Sequence, residues 1–196
     1  MPKNLHSVPK LTMPEDAYAD MPMEEVDFLY ESNLIEHERS MEALEDAIAA
    51  WDYAKKERNK LLSNNLNEAE AYVLEIHRLL GRRIDPEIAG KLRNCDVWIG
   101  GQHKRFINEN LLRAQLHEWL RESKPKDSYR KKSVEQREAL VKKWHIAFEG
   151  IHPWRDINGR GGRILYQVSR LILGLPIHVI NSKTKYTDYY PWFQPK

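Results

Sequence analysis

Residues 152–163 read HPWRDINGRGGR, and little else in the chain approaches their density of reactive side chains. These twelve positions hold one histidine, one aspartate, one asparagine, three arginines and three glycines. An apolar helical pattern follows at once, at Ile164, Leu165, Val168, Leu171 and Ile172. Glycines let backbone N–H groups approach an anion, a helix N-terminus adds roughly half a positive charge, and arginines bind phosphate oxygens with a planar fork. The stretch therefore predicts a base, a metal ligand and a phosphate-binding loop at one helix N-terminus.

This stretch resembles the signature of the Fic family, written H-x-F-x-[D/E]-G-N-G-R-x-x-R. Six positions agree in identity and spacing: His152, Asp156, Asn158, Gly159, Arg160 and Arg163. Trp154 replaces the usual phenylalanine and Ile157 the usual glycine, where a branched side chain restricts φ and crowds the phosphate site. The resemblance implies a mainly α-helical Fic fold over roughly residues 66–190, a compact helical bundle with a β-hairpin flap over the active-site loop.

The resemblance also implies an activity, the transfer of AMP from ATP to a Ser, Thr or Tyr hydroxyl of a target protein. His152 is then the catalytic base, and its ordinary pKa near 6.5 leaves much of it neutral and able to take a proton. Asp156 would hold Mg²⁺ against the phosphates. The predicted nucleotide-binding residues are Asn158, Gly159, Arg160, Gly162 and Arg163.

Residues 32–37, Ser-Asn-Leu-Ile-Glu-His, resemble the inhibitory motif of the same family, [S/T]-x-x-x-E-[G/N]. Ser32 and Glu36 match, and His37 does not. The resemblance implies an N-terminal inhibitory helix whose Glu36 pairs with Arg163 in the place of the γ-phosphate, so that ATP binds poorly. The alternative is that Glu36 is an ordinary exposed residue.

The remaining pattern is mostly helical. We expect an N-terminal arm and inhibitory helix over 1–60, with 1–22 extended, and a Fic core domain over 61–196. Apolar spacing predicts two helical pieces within 24–58 and a helix over 67–80 that ends at Gly81. Further predicted helix starts are Asp85-Pro86, Asn108, the Ser133–Gln136 capping box (its helix ending at Gly150) and Ser182.

A small hairpin is the one convincing β signal. Val97-Trp98-Ile99 and Phe106-Ile107 flank the turn residues Gly100-Gly101-Gln102. The spacing of Gly90, Arg93 and Val97 is a weaker second match to the family, at its flap. In the family a target segment adds a strand there, so Val97, Trp98, Ile99 and Gly100 are the candidate docking residues. A plain surface hairpin is the alternative.

Composition argues against a disulfide-linked, membrane-spanning or nucleic-acid-binding protein. The single cysteine, Cys95, excludes an internal disulfide and suits a reducing cytoplasm. No signal-peptide pattern begins the chain, and no run approaches the roughly 20 apolar residues of a membrane span. The net charge is +2, and the basic stretch 121–143 has acidic interruptions, which favours a solvated face over a nucleic-acid site.

Three alternatives to inhibited AMP transfer stay open. One is a Fic enzyme that transfers another phosphate-containing group. A second is a nucleotide- or partner-binding module without catalysis, which Ile157 supports. A third, weaker one is a nucleic-acid-binding helical protein. The resemblance also allows self-modification and a homodimer, since many relatives dimerise.

Overall fold

The computed structural model describes residues 20–99, 102–106 and 108–194. Seven α-helices lie within these ranges: α1 (Met23–Ile35), α2 (Met41–Lys56), α3 (Leu66–Gly81), α4 (Glu109–Glu122), α5 (Val134–Ile151), α6 (Asn158–Ile172) and α7 (Lys185–Asp188). Short 3-10 helices cover Arg58–Leu62, Asp127–Lys131 and Tyr190–Phe193. The first 19 residues of the predicted arm, and Gly100 of the predicted flap, lie outside the described residues. The mainly α-helical fold is confirmed.

Helix α6 occupies the centre of the bundle. It packs against α1, α2, α3 and α5, and nearly all of its residues are buried, including Arg160, Arg163 and Arg170. Large apolar side chains from the neighbouring helices, such as Trp51, Tyr72 and Phe148, belong to the same core as its Ile164, Leu165 and Val168. The loop that precedes α6 is therefore held inside the protein rather than at a free surface.

The N-terminal helices share this core. Phe28 and Leu29 of α1 and Trp51 of α2 lie in one hydrophobic cluster with residues of α3 to α6. The predicted division of the chain at residue 60 stays a prediction. Among the described residues, no helix combines the length and the apolarity that crossing a bilayer requires.

The hairpin is confirmed as an antiparallel pair of β1 (Val97–Ile99) and β2 (Gln102–Lys104). Val97 pairs with Lys104, and Ile99 pairs with Gln102. The predicted second strand at Phe106-Ile107 is wrong, because β2 ends at Lys104 and the Phe106 N–H donates to the Asp96 carboxylate instead (2.7 Å); Ile107 lies outside the described residues. Trp98 points outward and is 69% exposed.

Local capping signals located two of the four predicted helix starts correctly. The side chain of Asn108 accepts a hydrogen bond from Leu111 N (2.8 Å), and Ser133 and Gln136 form the predicted capping box. The predicted pieces within 24–58 and 67–80 are α1, α2 and α3, with Asn65 capping α3. Helix α5 ends at Ile151, one residue beyond Gly150.

Two predicted helix starts are wrong, and tertiary contacts explain both. Asp85-Pro86 begins a series of turns, because the Gly90 N–H donates to His77 Nδ1 (3.0 Å) and Gly90 adopts a φ of 74°. Ser182 caps no helix, because its N–H donates to the Glu31 carboxylate (2.6 Å) and α7 begins only after Thr184.

Candidate active site

His152 ends α5 in a left-handed conformation, with φ of 52°. Its Nδ1 lies 3.3 Å from the main-chain oxygen of Glu149, so the neutral ring carries its hydrogen on Nδ1 and leaves Nε2 as the acceptor. Burial lowers the pKa of His152 to about 4, and the charges of Arg93 and Lys104 act in the same direction while the hydrogen bond to Glu149 opposes it. The imidazole is therefore neutral at pH 7, the state that a general base requires.

The flap residues Arg93 and Lys104 hold this end of α5. The Arg93 guanidinium Nε donates to the His152 carbonyl (2.8 Å), and its backbone N–H donates to the Pro153 carbonyl (2.9 Å). The Lys104 ammonium donates to the Gly150 carbonyl. Lys104 thus connects the hairpin to the last turn of α5, while Arg93, just before β1, contacts the backbone of the candidate base. Only the weak flap match in the sequence pointed to Arg93.

The side chain of Asn158 closes the loop. Its Oδ1 accepts from the Trp154 N–H (3.0 Å), and its Nδ2 donates to the Trp154 carbonyl (2.9 Å). Asn158 is 2% exposed, and both polar atoms of its carboxamide bond to the loop backbone rather than to a ligand. What it offers to an anion is its N–H, which belongs to the first turn of α6, where backbone donors have no partner within the helix.

His77 of α3 is a structural residue of the site that sequence reasoning missed. Its ring is fully buried and stacks on Trp154, with centroids 4.3 Å apart. Because Nδ1 accepts from Gly90 N–H, Nε2 carries the hydrogen and donates to the Asp156 carbonyl (3.3 Å). Burial lowers the pKa of His77 to about 4, which keeps it neutral. A lone histidine on a helix gives no sequence signal for this role.

Ile157 adopts the backbone conformation that its usual glycine would favour. Its φ is 65° and ψ 10°, a left-handed conformation that strains a branched residue. The side chain is 3% exposed and points into the core, where its Cδ1 lies 3.1 Å from the place a Cβ on Gly81 would take. The crowding of the phosphate site that the sequence predicted is therefore avoided, because the bulk lies on the far side of the loop.

The Glu36 carboxylate lies at the N-terminus of α6. Glu36 Oε1 accepts from Arg163 Nη2 (2.8 Å), and it lies so close to Gly159 that even a methyl group there would collide with it. Ser32 accepts from Arg163 Nε at its hydroxyl (2.8 Å) and from Nη2 at its carbonyl (2.9 Å). Burial raises the pKa of the Glu36 carboxyl, but the charge and hydrogen bond of Arg163 outweigh it, and the pKa lies below its ordinary value.

Arg160 offers donors that the described protein does not use. It is 6% exposed, and its Nε and Nη1 have no hydrogen-bond partner among the described residues. Burial lowers the pKa of the Arg160 guanidinium, and the charges of Asp156, Glu36 and Glu38 oppose this. A buried guanidinium with free donors is suited to an anionic ligand.

Asp156 is exposed at the surface of the loop, and its Oδ1 accepts from the Ile157 N–H (2.6 Å). The described residues contain no cluster of three metal-ligating side chains. A single carboxylate is nevertheless the donor set that Mg²⁺ commonly takes when phosphates supply further ligands.

The fold and this loop define a class of helical domain in which a histidine-to-arginine motif opens a central helix beside a β-hairpin. Residues 65–169 match the family model described as the Fic/DOC family. The chain belongs to the Fic/DOC family.

Its relatives include proteins named protein adenylyltransferase. The chain is 29% identical over 143 residues to "Protein adenylyltransferase Fic" of Drosophila grimshawi, covering 73% of this chain and 28% of that protein. It is 28% identical over 121 residues to "Protein adenylyltransferase fic-1" of Caenorhabditis briggsae, covering 60% and 22%. The chain thus spans about a quarter of the length of these curated relatives.

Solved structures show the same fold. A Fic domain containing signaling protein from Bacteroides thetaiotaomicron superposes with a TM-score of 0.69 at 18% identity, covering 94% of this chain and 76% of that one. Residues 134–508 of Fic-1 from C. elegans give a TM-score of 0.65 at 19% identity, covering 93% and 59%.

Proposed function

We propose that the chain transfers the AMP part of ATP to a hydroxyl side chain of a target protein and that Glu36 inhibits this reaction. The observation that carries the proposal is the anion site at the N-terminus of α6. There a carboxylate of the chain itself lies against Gly159 and is held by Arg163. The names of the relatives support the choice of AMP transfer.

In this mechanism His152 Nε2 takes the proton of the target hydroxyl while that oxygen forms a bond to the α-phosphorus. The bond between the α-phosphorus and the bridging oxygen breaks, and pyrophosphate leaves. Backbone N–H groups at the start of α6 and the free donors of Arg160 stabilise the negative charge of the transition state. Mg²⁺ at Asp156 would supply further neutralisation of the phosphates.

Inhibition follows from competition between anions for Arg163. The Glu36 carboxylate and a terminal phosphate both require the same guanidinium, and like charges so close repel each other. Removal of the carboxylate frees Arg163 and the space beside Gly159. ATP binding and AMP transfer should therefore increase together.

The target segment is proposed to add a strand to the hairpin. Its main chain would bond to the flap, with Val97, Trp98 and Ile99 as the nearest residues. Because Arg93 and Lys104 connect the flap to the backbone around His152, a segment bound there has a defined position relative to the base.

The test compares Glu36→Gly with the unaltered chain by calorimetry with ATP and by intact mass after incubation with ATP and Mg²⁺. We expect ATP affinity to rise by about tenfold or more, which is about 1.4 kcal/mol. We also expect a gain of one AMP mass that is absent from Glu36→Gly/His152→Ala. His37→Gly is the matched control, since it alters the same turn, at a φ of 60°, without removing a carboxylate.

Unchanged affinity in Glu36→Gly would refute the inhibitory role. AMP label that persists without His152 would refute the catalytic assignment. Tight ATP binding to Glu36→Gly without turnover would favour the non-catalytic alternative.

A further inference from the structure

Glu149 is a buried carboxyl group whose position the chemistry above does not explain. It lies on the last turn of α5, three residues before His152, and is 8% exposed. Its Oε1 has no hydrogen-bond partner among the described residues and lies so close to Gly162 that a methyl group there would collide with it. Burial of an unpaired carboxyl group is costly, so a compensating role is expected at such a position.

The other oxygen of Glu149 faces the candidate base. Oε2 lies 3.9 Å from His152 Nδ1, the nitrogen that faces away from the proposed substrate. Glu149 thus stands behind the imidazole in the way that a carboxylate stands behind a catalytic histidine in hydrolase triads. The distance is too long for a hydrogen bond but short enough for a strong interaction between charges inside a protein.

Several charged or titratable groups face Glu149 from the packed elements. Burial raises the pKa of its carboxyl to about 7, Arg163 of α6 opposes this, and Glu36, beside α1, adds to it. Tyr189, after α7, lies close enough for Glu149 to raise its pKa. The carboxyl therefore changes charge close to neutral pH, and its ionised fraction depends on where Glu36 lies.

We propose that Glu149 is a positioning residue that stabilises the imidazolium form of His152 during proton transfer. This inference rests on the proposed function. When Nε2 takes the hydroxyl proton, the ring becomes positively charged in a region that already holds Arg93 and Lys104. The hydrogen on Nδ1 stays on the ring, bonded to the Glu149 carbonyl, and the Glu149 carboxylate supplies the compensating negative charge at 3.9 Å.

The same geometry connects inhibition with base strength. While Glu36 occupies the anion site, its charge disfavours the ionised form of Glu149. Removal of Glu36 both frees Arg163 for a phosphate and lowers the pKa of Glu149. In the chain without nucleotide this change favours the charged carboxylate behind the base, and a phosphate of bound ATP at Arg163 then takes over the effect of the Glu36 charge.

The kinetic test uses the Glu36→Gly chain with and without Glu149→Gln, which keeps the shape and removes the charge. We expect kcat of Glu36→Gly to rise with pH as Glu149 ionises, at about pH 7, because a phosphate of bound ATP takes the place of the Glu36 charge. In Glu36→Gly/Glu149→Gln this rise should be absent and kcat lower by about tenfold or more, with the KM for ATP nearly unchanged. Glu135→Gln is the matched control, because it removes the same charge from the exposed first turn of the same helix.

A second readout needs no activity. In an NMR titration of the full chain, the His152 ring signal should show an inflection near pH 7 caused by ionisation of Glu149, and Glu149→Gln should lose it. If Glu149→Gln does not fold, the unaltered chain decides, because a His152 signal without that inflection overturns the proposal.

The two proposals fail in different ways. If Glu36→Gly transfers no AMP, the proposed function is wrong, and the inflection alone then decides whether Glu149 acts on His152. If Glu36→Gly transfers AMP and Glu149→Gln keeps both kcat and the pH profile, the inference about Glu149 is wrong and the proposed function stands.

Discussion

Backbone strain is concentrated around the candidate site at the scale of single residues. Three non-glycine residues of the described part have positive φ: His37 beside Glu36, the candidate base His152, and Ile157 before α6. Such conformations cost roughly 1–3 kcal/mol each and persist where the surroundings over-determine them. Here the Asn158 carboxamide and the His77 ring bond to the loop before α6, and Arg93 bonds to the His152 carbonyl.

Ile157 allows this strain to be measured. Ile157→Gly releases about 1–2 kcal/mol of left-handed strain but removes a buried side chain that contributes about 2–5 kcal/mol. We expect the free energy of unfolding to fall by roughly 1–3 kcal/mol, measured by urea denaturation. Because the side chain points away from the anion site, ATP affinity in the Glu36→Gly background should not change.

Ile157→Ala is the control, since it loses the same contact and keeps most of the strain. It should be less stable than Ile157→Gly by about 1 kcal/mol. A Gly variant that equals or exceeds the unaltered chain in stability would contradict the claim that the side chain stabilises the loop.

At the scale of elements, α1 depends on its neighbours. A 13-residue helix is marginal alone, and Pro22 provides no side-chain cap. Its N-terminal half is held by Glu25, which accepts from Trp51 Nε1 (2.6 Å), and its last turn by Lys185, whose Nζ donates to the Ile35 carbonyl (2.7 Å). Lys185 is 4% exposed, so the position of Glu36 depends on a buried hydrogen bond from the C-terminal segment.

Removal of that donor should loosen the contact between Glu36 and Arg163. Lys185→Met leaves the Ile35 carbonyl without its donor and should cost about 1–3 kcal/mol of stability. We expect faster amide exchange in α1 and an ATP affinity that rises above that of the unaltered chain without reaching that of Glu36→Gly. Lys183→Met, at an exposed neighbouring position, is the matched control. Equal ATP affinity of the two variants would show that Lys185 does not hold Glu36 in place.

At the scale of the whole molecule, the buried His77 and His145 and the partly buried His152 shape the pH dependence of stability. Burial lowers the pKa of His77 and His152 to about 4 and that of His145 to about 3. The unfolded chain therefore binds protons on them from about pH 6.5 downward while the folded chain does not. Their contribution is fully present above pH 6.5 and is lost as the pH falls toward 4. Glu149, with its pKa raised to about 7, acts oppositely between about pH 4.5 and 7.

Three histidines outweigh one carboxyl group, so the free energy of unfolding should rise with pH between 4.5 and 6.5. The expected slope is on the order of 1–3 kcal/mol per pH unit. Each proton that the unfolded chain binds and the folded chain does not contributes about 1.4 kcal/mol per pH unit. Urea denaturation at several pH values measures it. His145→Gln should reduce the slope and Glu149→Gln should steepen it. A flat profile across this range would contradict the neutral state of these histidines in the folded chain.

The sequence by itself determined most of the helices and the residue types of the loop. Apolar spacing and local caps such as Asn108 and Ser133 act within a few residues, so they can be read from the chain directly. The motif at 152–163 identified the family and named the residues around the anion site. The pairing of Glu36 with Arg163 came from a family resemblance, since 127 positions separate them.

Only the tertiary structure decided how those residues are used. It placed Glu149 beside His152 Nδ1 and the Ile157 side chain in the core. It also showed that the Asn158 carboxamide bonds to the loop backbone and that the Gly90 N–H donates to His77. These outcomes depend on contacts between distant segments and on which polar groups are removed from water. Side-chain burial and its effect on charge arise only when the helices pack, so no local pattern in the sequence records them.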